Sequence, residues 1–205
     1  MYLLIKRILD ILLSLVAIAI GTPIFLLIVI WILITMGPPF LFCQERTGKD
    51  NRPFRIYKFR TMNSNPGHYL TDEQRITRTG KLLRIFRIDE LPQLLNILMG
   101  DMSFIGPRPL LPGYLPFYKK EELKRHNVRP GLSGLSQVNH LRYPDWETQL
   151  NDDIAYVEMI SFKTDLNIFF KTIRRMFKPN SMLQTNSKPR PNLIEYRSGT
   201  TVKMG

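Results

Sequence analysis

Cysteine is almost missing from this 205-residue chain: Cys43 is the only one. No intrachain disulfide can form, and a cysteine-based metal site is disfavoured. The scarcity fits a catalytic portion kept in the reducing cytoplasm. Acidic side chains are also short, 17 Asp and Glu against 29 Lys and Arg, for a net charge of +12. Charge of either sign is nearly absent from the first fifth of the chain, where only Lys6, Arg7 and Asp10 precede Glu45. Ile11 to Met36 carries no charge at all. An apolar run of that length is first of all a membrane segment, which argues against a freely soluble globular enzyme. Abundant Leu, Ile, Phe and Tyr in the charged remainder argue against a disordered basic protein.

Several signatures are missing as well. There is no zinc-finger spacing, no convincing helix-turn-helix and no aromatic RNA-binding pattern, so nucleic acid is not the expected partner. Arg46-Thr47-Gly48-Lys49 and Arg78-Thr79-Gly80-Lys81 suggest phosphate loops. Each lacks the earlier glycine and the Ser or Thr that must follow the lysine. The Asp-x-Asp motif of many nucleotide-sugar enzymes is absent too. The spaced Asp cluster and multiple spanning helices expected of enzymes that use CDP-activated donors are likewise missing. The excess of cations is left with anionic lipid headgroups or anionic substrates. A non-enzymatic alternative is a basic membrane-surface tether that binds anionic lipid or nucleic acid.

What is present begins with the membrane segment, residues 1–36. Thr22-Pro23 falls near its middle, and proline removes a backbone donor and clashes with the preceding turn, so a kink or break is expected. The Thr22 hydroxyl can bond back to the carbonyl of Ile18. Each arm is about 16–21 Å long at 1.5 Å per residue, roughly one leaflet. Either the helix spans with a kink, or it returns to the side it entered. A signal peptide is a weaker third reading, because the run is too long and no cleavage site follows. Lys6 and Arg7 before the run, and Arg46, Lys49, Arg52, Arg55, Lys58 and Arg60 after it, suit two cytoplasmic ends.

Beyond Gly37-Pro38-Pro39, short strands are expected at 40–42 and 53–60 around the turn 47–51. A polar loop follows at 63–73, then helices over about 75–88 and 93–99, the second ended by Gly100. Residues 104–118, with apolar side chains interleaved with Arg and Lys, suit an interfacial surface. Two more helices are expected over 146–177, and a polar tail from 179 to 205. The fold class is mainly α with a few short β-strands: a membrane segment, a globular domain over 37–178 with interfacial amphipathic helices, and a tail.

Two stretches carry chemistry. Arg84-Ile85-Phe86-Arg87-Ile88-Asp89-Glu90-Leu91-Pro92 gathers two basic and two acidic side chains where one helix should end and another begin. Pre-proline Leu91 is expected to be extended, and carboxylates at a helix start are expected to favour their ionised form. An ionised carboxylate can hold Mg²⁺ or attack phosphorus. Further on, Arg108 stands between Pro107 and Pro109, a stiff backbone that presents a planar fork of donors suited to phosphate oxygens.

Residues 87–96 and 100–109, together with Tyr57-Lys58-Phe59-Arg60-Thr61-Met62 and residues 129–139, resemble four blocks of the bacterial sugar transferases, the monotopic phosphoglycosyl transferases. The resemblance runs in register from residue 1 to about 178, and the short chain is similar to members of the bacillosaminyl-phosphate transferase type. It implies transfer of a phospho-sugar from a UDP-sugar to polyprenyl (undecaprenyl) phosphate with release of UMP. That is the first membrane step of glycoconjugate assembly, at the cytoplasmic face of the bacterial inner membrane. It also implies Mg²⁺ and a covalent aspartyl-phosphosugar. Asp89 would be the nucleophile and a metal ligand, with Glu90 its dyad partner. Lys58, Arg84 and Arg108 would be phosphate-contacting or other essential site cations, and Asp165 a further acidic site residue. Thr22-Pro23 matches the family's helix break and implies the re-entrant form, with anionic membrane lipids as partners. His140 departs from the family, standing where many members have glycine, in a stretch connected with sugar or nucleotide. The chain after 178 matches no block.

Overall fold

The computed structural model describes residues 1–63, 72–140, 144–176 and 190–199. The expected polar loop lies mostly outside these, as do Leu141, Arg142 and most of the expected tail. The described chain is mainly helical with four short strands, and it divides into two units.

The first unit holds Leu3–Gln44 and Arg55–Gly100. Its longest element is α1 (Tyr2–Met36), which stays helical through Pro23. The expected local bond forms there, with the Thr22 hydroxyl donating to the Ile18 carbonyl at 2.7 Å. Most large apolar side chains of α1 are exposed, as expected of a segment built for lipid rather than water. By length and composition it is the one helix among the described residues able to cross a membrane. Its C-terminal part is different: Ile28 and Ile32 are buried against Phe59 and Leu83. The last carbonyls of α1 have no intrahelical partners. The Gly37 amide meets the Leu33 carbonyl, and Arg60 donates to Met36 at 2.6 Å and, just past the helix, to the carbonyls of Gly37 and of Pro38 at 3.1 Å.

The strands β1 (Leu41–Thr47) and β2 (Pro53–Phe59) pair as a two-stranded sheet. The single helix expected over 75–88 is divided into α2 (Asp72–Arg75) and α3 (Arg78–Ile85). Thr77 intervenes as the cap of α3, accepting from the Gly80 amide at 2.9 Å. Gly80 is required by a close approach: a Cβ there would lie 1.9 Å from the Thr61 carbonyl oxygen. The expected second helix is α4 (Gln93–Met99), stopped by Gly100 at φ 99°, a conformation that glycine adopts without strain.

The second unit contains Tyr2, Glu45–Phe54 and the chain from Asp101 onward. Here β3 (Ser103–Ile105) lies parallel to β4 (Gly131–Ser133), with Ser103 opposite Gly131 and Ile105 opposite Ser133. The short α5 (Leu135–Asn139) follows β4, and α6 (Trp146–Glu158) and α7 (Phe162–Met176) match the two helices expected over 146–177. Ile105, Val128, Tyr156 and Ile168 form one core cluster.

Part of the expected tail belongs to this unit's core. Residues 190–199 contain α8 (Leu193–Ser198), started by a reciprocal cap between Asn192 and Glu195. Leu193 is fully buried with Leu110, Tyr114, Trp146 and Leu150. The Arg190 guanidinium stacks 3.5 Å from the Trp146 ring centroid, and the indole donates to the Pro191 carbonyl at 3.0 Å. Arg197 pairs with both Glu122 and Glu147. Leu193→Ala should therefore cost about 2–5 kcal/mol, seen as a lower thermal midpoint. A midpoint equal to that of the parent protein would show that the segment is not part of the folded core.

Candidate active site

The backbone that carries the acidic pair is built from three abrupt changes of conformation. Helix α3 ends at Ile85, and Arg87 adopts a left-handed conformation at φ 55°, uncommon for a residue with a Cβ. A 3-10 turn over Ile88–Glu90 follows and runs directly into α4. Leu91, expected to be extended because it precedes proline, is instead right-handed helical at φ −57°, ψ −35°. The turn explains this: the Leu91 amide donates to the Ile88 carbonyl, and the Leu94 amide in turn donates to the Leu91 carbonyl. The helical path is continuous across Pro92, which needs no donor at a first-turn position.

This path buries Asp89, 9% exposed, and sets Glu90 beside it. Lys58, near the end of β2, donates from Nζ to Glu90 Oε1 at 2.8 Å. Arg84, in the last turn of α3, donates from Nε to the Thr61 hydroxyl at 2.9 Å. Burial raises the Asp89 pKa from 3.8 to about 6, and the charge of Glu90 pushes the same way. Lys58 and Arg84 oppose that rise without overcoming it. Position before a helix was expected to favour the ionised form, but loss of water around the carboxylate outweighs it.

Lys58, Arg84, Asp89 and Glu90 are thus brought together within the first unit. Arg108 and Asp165 belong to the second. Pro107 and Pro109 are both buried around Arg108, whose carbonyl accepts from Arg125 Nη2 at 2.7 Å. Asp165, in the first turn of α7, is 8% exposed. Its Oδ2 accepts from the Tyr2 hydroxyl at 2.5 Å, and its Oδ1 from the Tyr156 hydroxyl at 2.7 Å. His140 lies with its Nε2 2.8 Å from Asp152 Oδ2. Thr22 and Pro23 sit inside α1.

Two residues that shape these groups carry little signal of their role in the sequence. Asn96 is fully buried: its Oδ1 accepts from the Tyr57 amide at 3.1 Å and its Nδ2 donates to the Arg55 carbonyl at 2.7 Å. Its signal was a lone amide within Leu94-Leu95-Asn96-Ile97-Leu98-Met99. Arg125 is the other, and its partner Asp153 lies too far along the chain for any local pattern to join them.

Among the described residues no group of three or more His, Cys, Asp or Glu is arranged to hold a metal. The two adjacent carboxylates still suit one ion class. Mg²⁺ is held by one or two carboxylates and completed by substrate phosphates rather than caged by protein alone. The mutual repulsion that helps raise the Asp89 pKa is what a cation would relieve.

Comparison with known proteins supplies the class. Over 184 residues the chain is 41% identical to a protein of Bacillus subtilis named an uncharacterized sugar transferase, EpsL, covering 88% of this chain and 91% of that one. It is 42% identical to an undecaprenyl-phosphate N-acetylgalactosaminephosphotransferase of Aeromonas hydrophila, covering 84% of this chain and 44% of that longer protein. It is 38% identical to a UDP-glucose:undecaprenyl-phosphate glucose-1-phosphate transferase of Caulobacter vibrioides, covering 82% and 68% respectively. The protein is a phosphoglycosyl transferase. Residues 1–179 match the model of the bacterial sugar transferases, and the chain belongs to that family.

Proposed function

We propose that this enzyme transfers a sugar phosphate from a UDP-sugar to undecaprenyl or a similar polyprenyl phosphate, through a covalent intermediate on Asp89. The observation that carries this reading is the buried Asp89 carboxylate beside Glu90, with Lys58 and Arg84 close enough to act on its charge. The names of the Aeromonas and Caulobacter relatives support the donor and acceptor classes.

In the first step a carboxylate oxygen of Asp89 attacks the phosphorus that bears the sugar. The bond from that phosphorus to the bridging oxygen breaks, and UMP leaves with the electron pair. In the second step an oxygen of polyprenyl phosphate attacks the same phosphorus. The aspartyl bond breaks, the carboxylate is regenerated, and a polyprenyl-diphosphate sugar departs. Both steps concentrate negative charge on phosphoryl and leaving oxygens, which fixed cations stabilise. Lys58 is held in place by Glu90, and the exposed Arg84 keeps its terminal nitrogens for the diphosphate while its Nε is fixed by Thr61. Arg108 is assigned to phosphate as well, on a backbone that Arg125 supports. Asp165, held within the second unit by two tyrosine hydroxyls, is retained as a further acidic residue that the family resemblance implies. Mg²⁺ would be held by Asp89 with the donor phosphates, and would supply further neutralisation of the diphosphate.

The acceptor is a lipid whose phosphate lies at headgroup level, so the enzyme must work against a membrane surface. Two features support this. Arg7 donates to the carbonyls of Ile97 and Leu98 at the end of α4, while Met36 is held by Arg60. A straight helix from Arg7 to Met36 would measure about 44 Å. The rest of the unit that holds both ends, about 50 residues, has an expected radius of gyration of about 10 Å. A bend at Pro23, giving a re-entrant α1 with both ends at the cytoplasmic face of the inner membrane, reconciles these lengths. In α7, Phe162, Leu166, Phe169, Phe170 and Ile173 are exposed on one helical face. Lys163, Lys171 and Arg174 flank that face, a pattern suited to lying in anionic headgroups.

The purified protein with Mg²⁺, polyprenyl phosphate and a panel of UDP-sugars should release UMP with at least one donor. Salt-sensitive binding to anionic vesicles without UMP release from any of them would favour the tether instead.

A further inference from the structure

We propose that Asn96 is a positioning residue for the reaction: its amide splints β2 to α4 and so fixes Lys58 at the acidic dyad. The inference rests on the reading of Lys58 as a phosphate-site cation.

The geometry argues for a specific role. A β-strand has two hydrogen-bonding edges, and alternate residues point their N–H and C=O groups to the same edge. β1 occupies one edge of β2 in the two-stranded sheet. Arg55 and Tyr57 share a common edge by this alternation, and Asn96 meets both, accepting from the Tyr57 amide and donating to the Arg55 carbonyl. A carboxamide offers an acceptor and a donor on two adjacent atoms, as a peptide group does, so a single residue of α4 stands in for a neighbouring strand. At 0% exposure, Asn96 is closed off from bulk water. Lys58 is the next residue along β2, and Glu90, its ion-pair partner at 2.8 Å, lies on the turn that leads into α4. Residues 55–58 and 90–96 are therefore joined at two points, the Asn96 amide and the Lys58–Glu90 pair. Arg7 fixes the far end of α4 through the Ile97 and Leu98 carbonyls, at 2.6 and 2.8 Å, so the splint is anchored and not free to follow the strand.

Without the amide, β2 still pairs with β1, but the position of Lys58 against the dyad rests on its pair with Glu90, and a partly exposed pair holds weakly. Lys58 would then sample positions away from the diphosphate, and transition-state stabilisation would fall.

The test is a double-mutant cycle on turnover, because a residue that only supports the fold would not couple selectively to one cation. Asn96→Leu, close in shape but without hydrogen bonds, should lower turnover about 10–100-fold as a misplacement near the chemistry does. Lys58→Met should lower it by a similar factor. The double variant should be no more than about threefold below Lys58→Met, the signature of residues acting as a unit. Multiplying effects would overturn the proposal. If Asn96→Leu does not fold, Asn96→Asp, which keeps the acceptor for Tyr57, enters the same cycle. Failure of both to fold would also overturn it, since the role would then be global. Asp89→Asn is measured alongside: if it retains turnover, the reading of the site has failed, whereas an inactive Asp89→Asn with multiplying Lys58 and Asn96 effects removes this inference alone.

Discussion

Asp89→Asn should abolish sugar-phosphate transfer and yet make the metal-free protein more stable. The loss follows from the chemistry, because an amide offers no anionic oxygen to phosphorus. Turnover should drop by about 10³-fold or more, the scale at which removal of a nucleophile is felt. The gain follows from linkage. Asp89 has a pKa raised from 3.8 to about 6, first by burial and then by Glu90. A carboxylate with a folded pKa above its unfolded one holds its proton more tightly when folded. The penalty is absent below about pH 4, grows between pH 4 and 6, and is full above 6. At 1.36 kcal/mol per pH unit it reaches about 3 kcal/mol. Asparagine removes that charge, so in chelator at pH 7 to 8 the variant should melt at a higher temperature, with the difference vanishing near pH 4. Adding Mg²⁺ should raise the midpoint of the parent protein more than that of the variant. Near-normal turnover in Asp89→Asn, with the protein still in the membrane fraction, would remove Asp89 as the nucleophile. Unchanged melting at every pH would show that the site already relieves the charge.

The same residue shows how much was legible beforehand. Asp89 and Glu90 were visible because the acids and bases that surround them are packed into a few consecutive positions. The apolar run of α1 and the periods of α6 and α7 were visible for a similar reason, since each is a repeating local pattern. A break between the helices over 75–88 and 93–99 is expected from the sequence, but its conformation is not. It turns on the left-handed Arg87, and no propensity marks an arginine for that conformation. Leu91 departs from its pre-proline preference because a steric preference weighs less than the hydrogen bonds of a turn continuous with α4. The helix expected over 75–88 is two pieces divided at Thr77, a residue type that favours caps but is tolerated inside helices, so its presence alone does not place the break. Leu193 and Ile194 form a short apolar pair in a polar stretch, and only tertiary partners explain why Leu193 is the buried one. Asn96 and Arg125 act between segments distant in the chain, where no sequence window connects donor to acceptor.

Arg125→Met should destabilise the second unit severely, and Arg125→Met combined with Asp153→Leu should restore much of the loss. The Arg125 side chain is 1% exposed and that of Asp153 2%. The guanidinium has five N–H donors, and the interior answers them. Nε and Nη2 donate to Asp153 Oδ2 at 3.0 and 2.7 Å, and Nη2 also donates to the Arg108 carbonyl. Nη1 meets His126 Nε2 at 3.1 Å and the Tyr118 hydroxyl at 3.4 Å. His126 can accept there only as neutral imidazole, and burial together with the Arg125 charge lowers its pKa to about 3. Removing the arginine alone leaves an uncompensated carboxylate in the interior, a cost of about 3–5 kcal/mol, which is a large part of the 5–15 kcal/mol that holds a typical domain. Burial already raises the Asp153 pKa against the pull of Arg125, so in the single variant Asp153 should take up a proton. The damage should then shrink as pH falls toward that raised value. The double variant removes both charges and replaces them with apolar volume, the exchange that proteins tolerate well. It also removes the bond from Arg125 to the Arg108 carbonyl, so it should fold and insert but transfer sugar phosphate more slowly. Chemical unfolding of the three proteins, read beside their turnover, separates these effects. Equal stability of the single and double variants would show that the ion pair is not what holds this core.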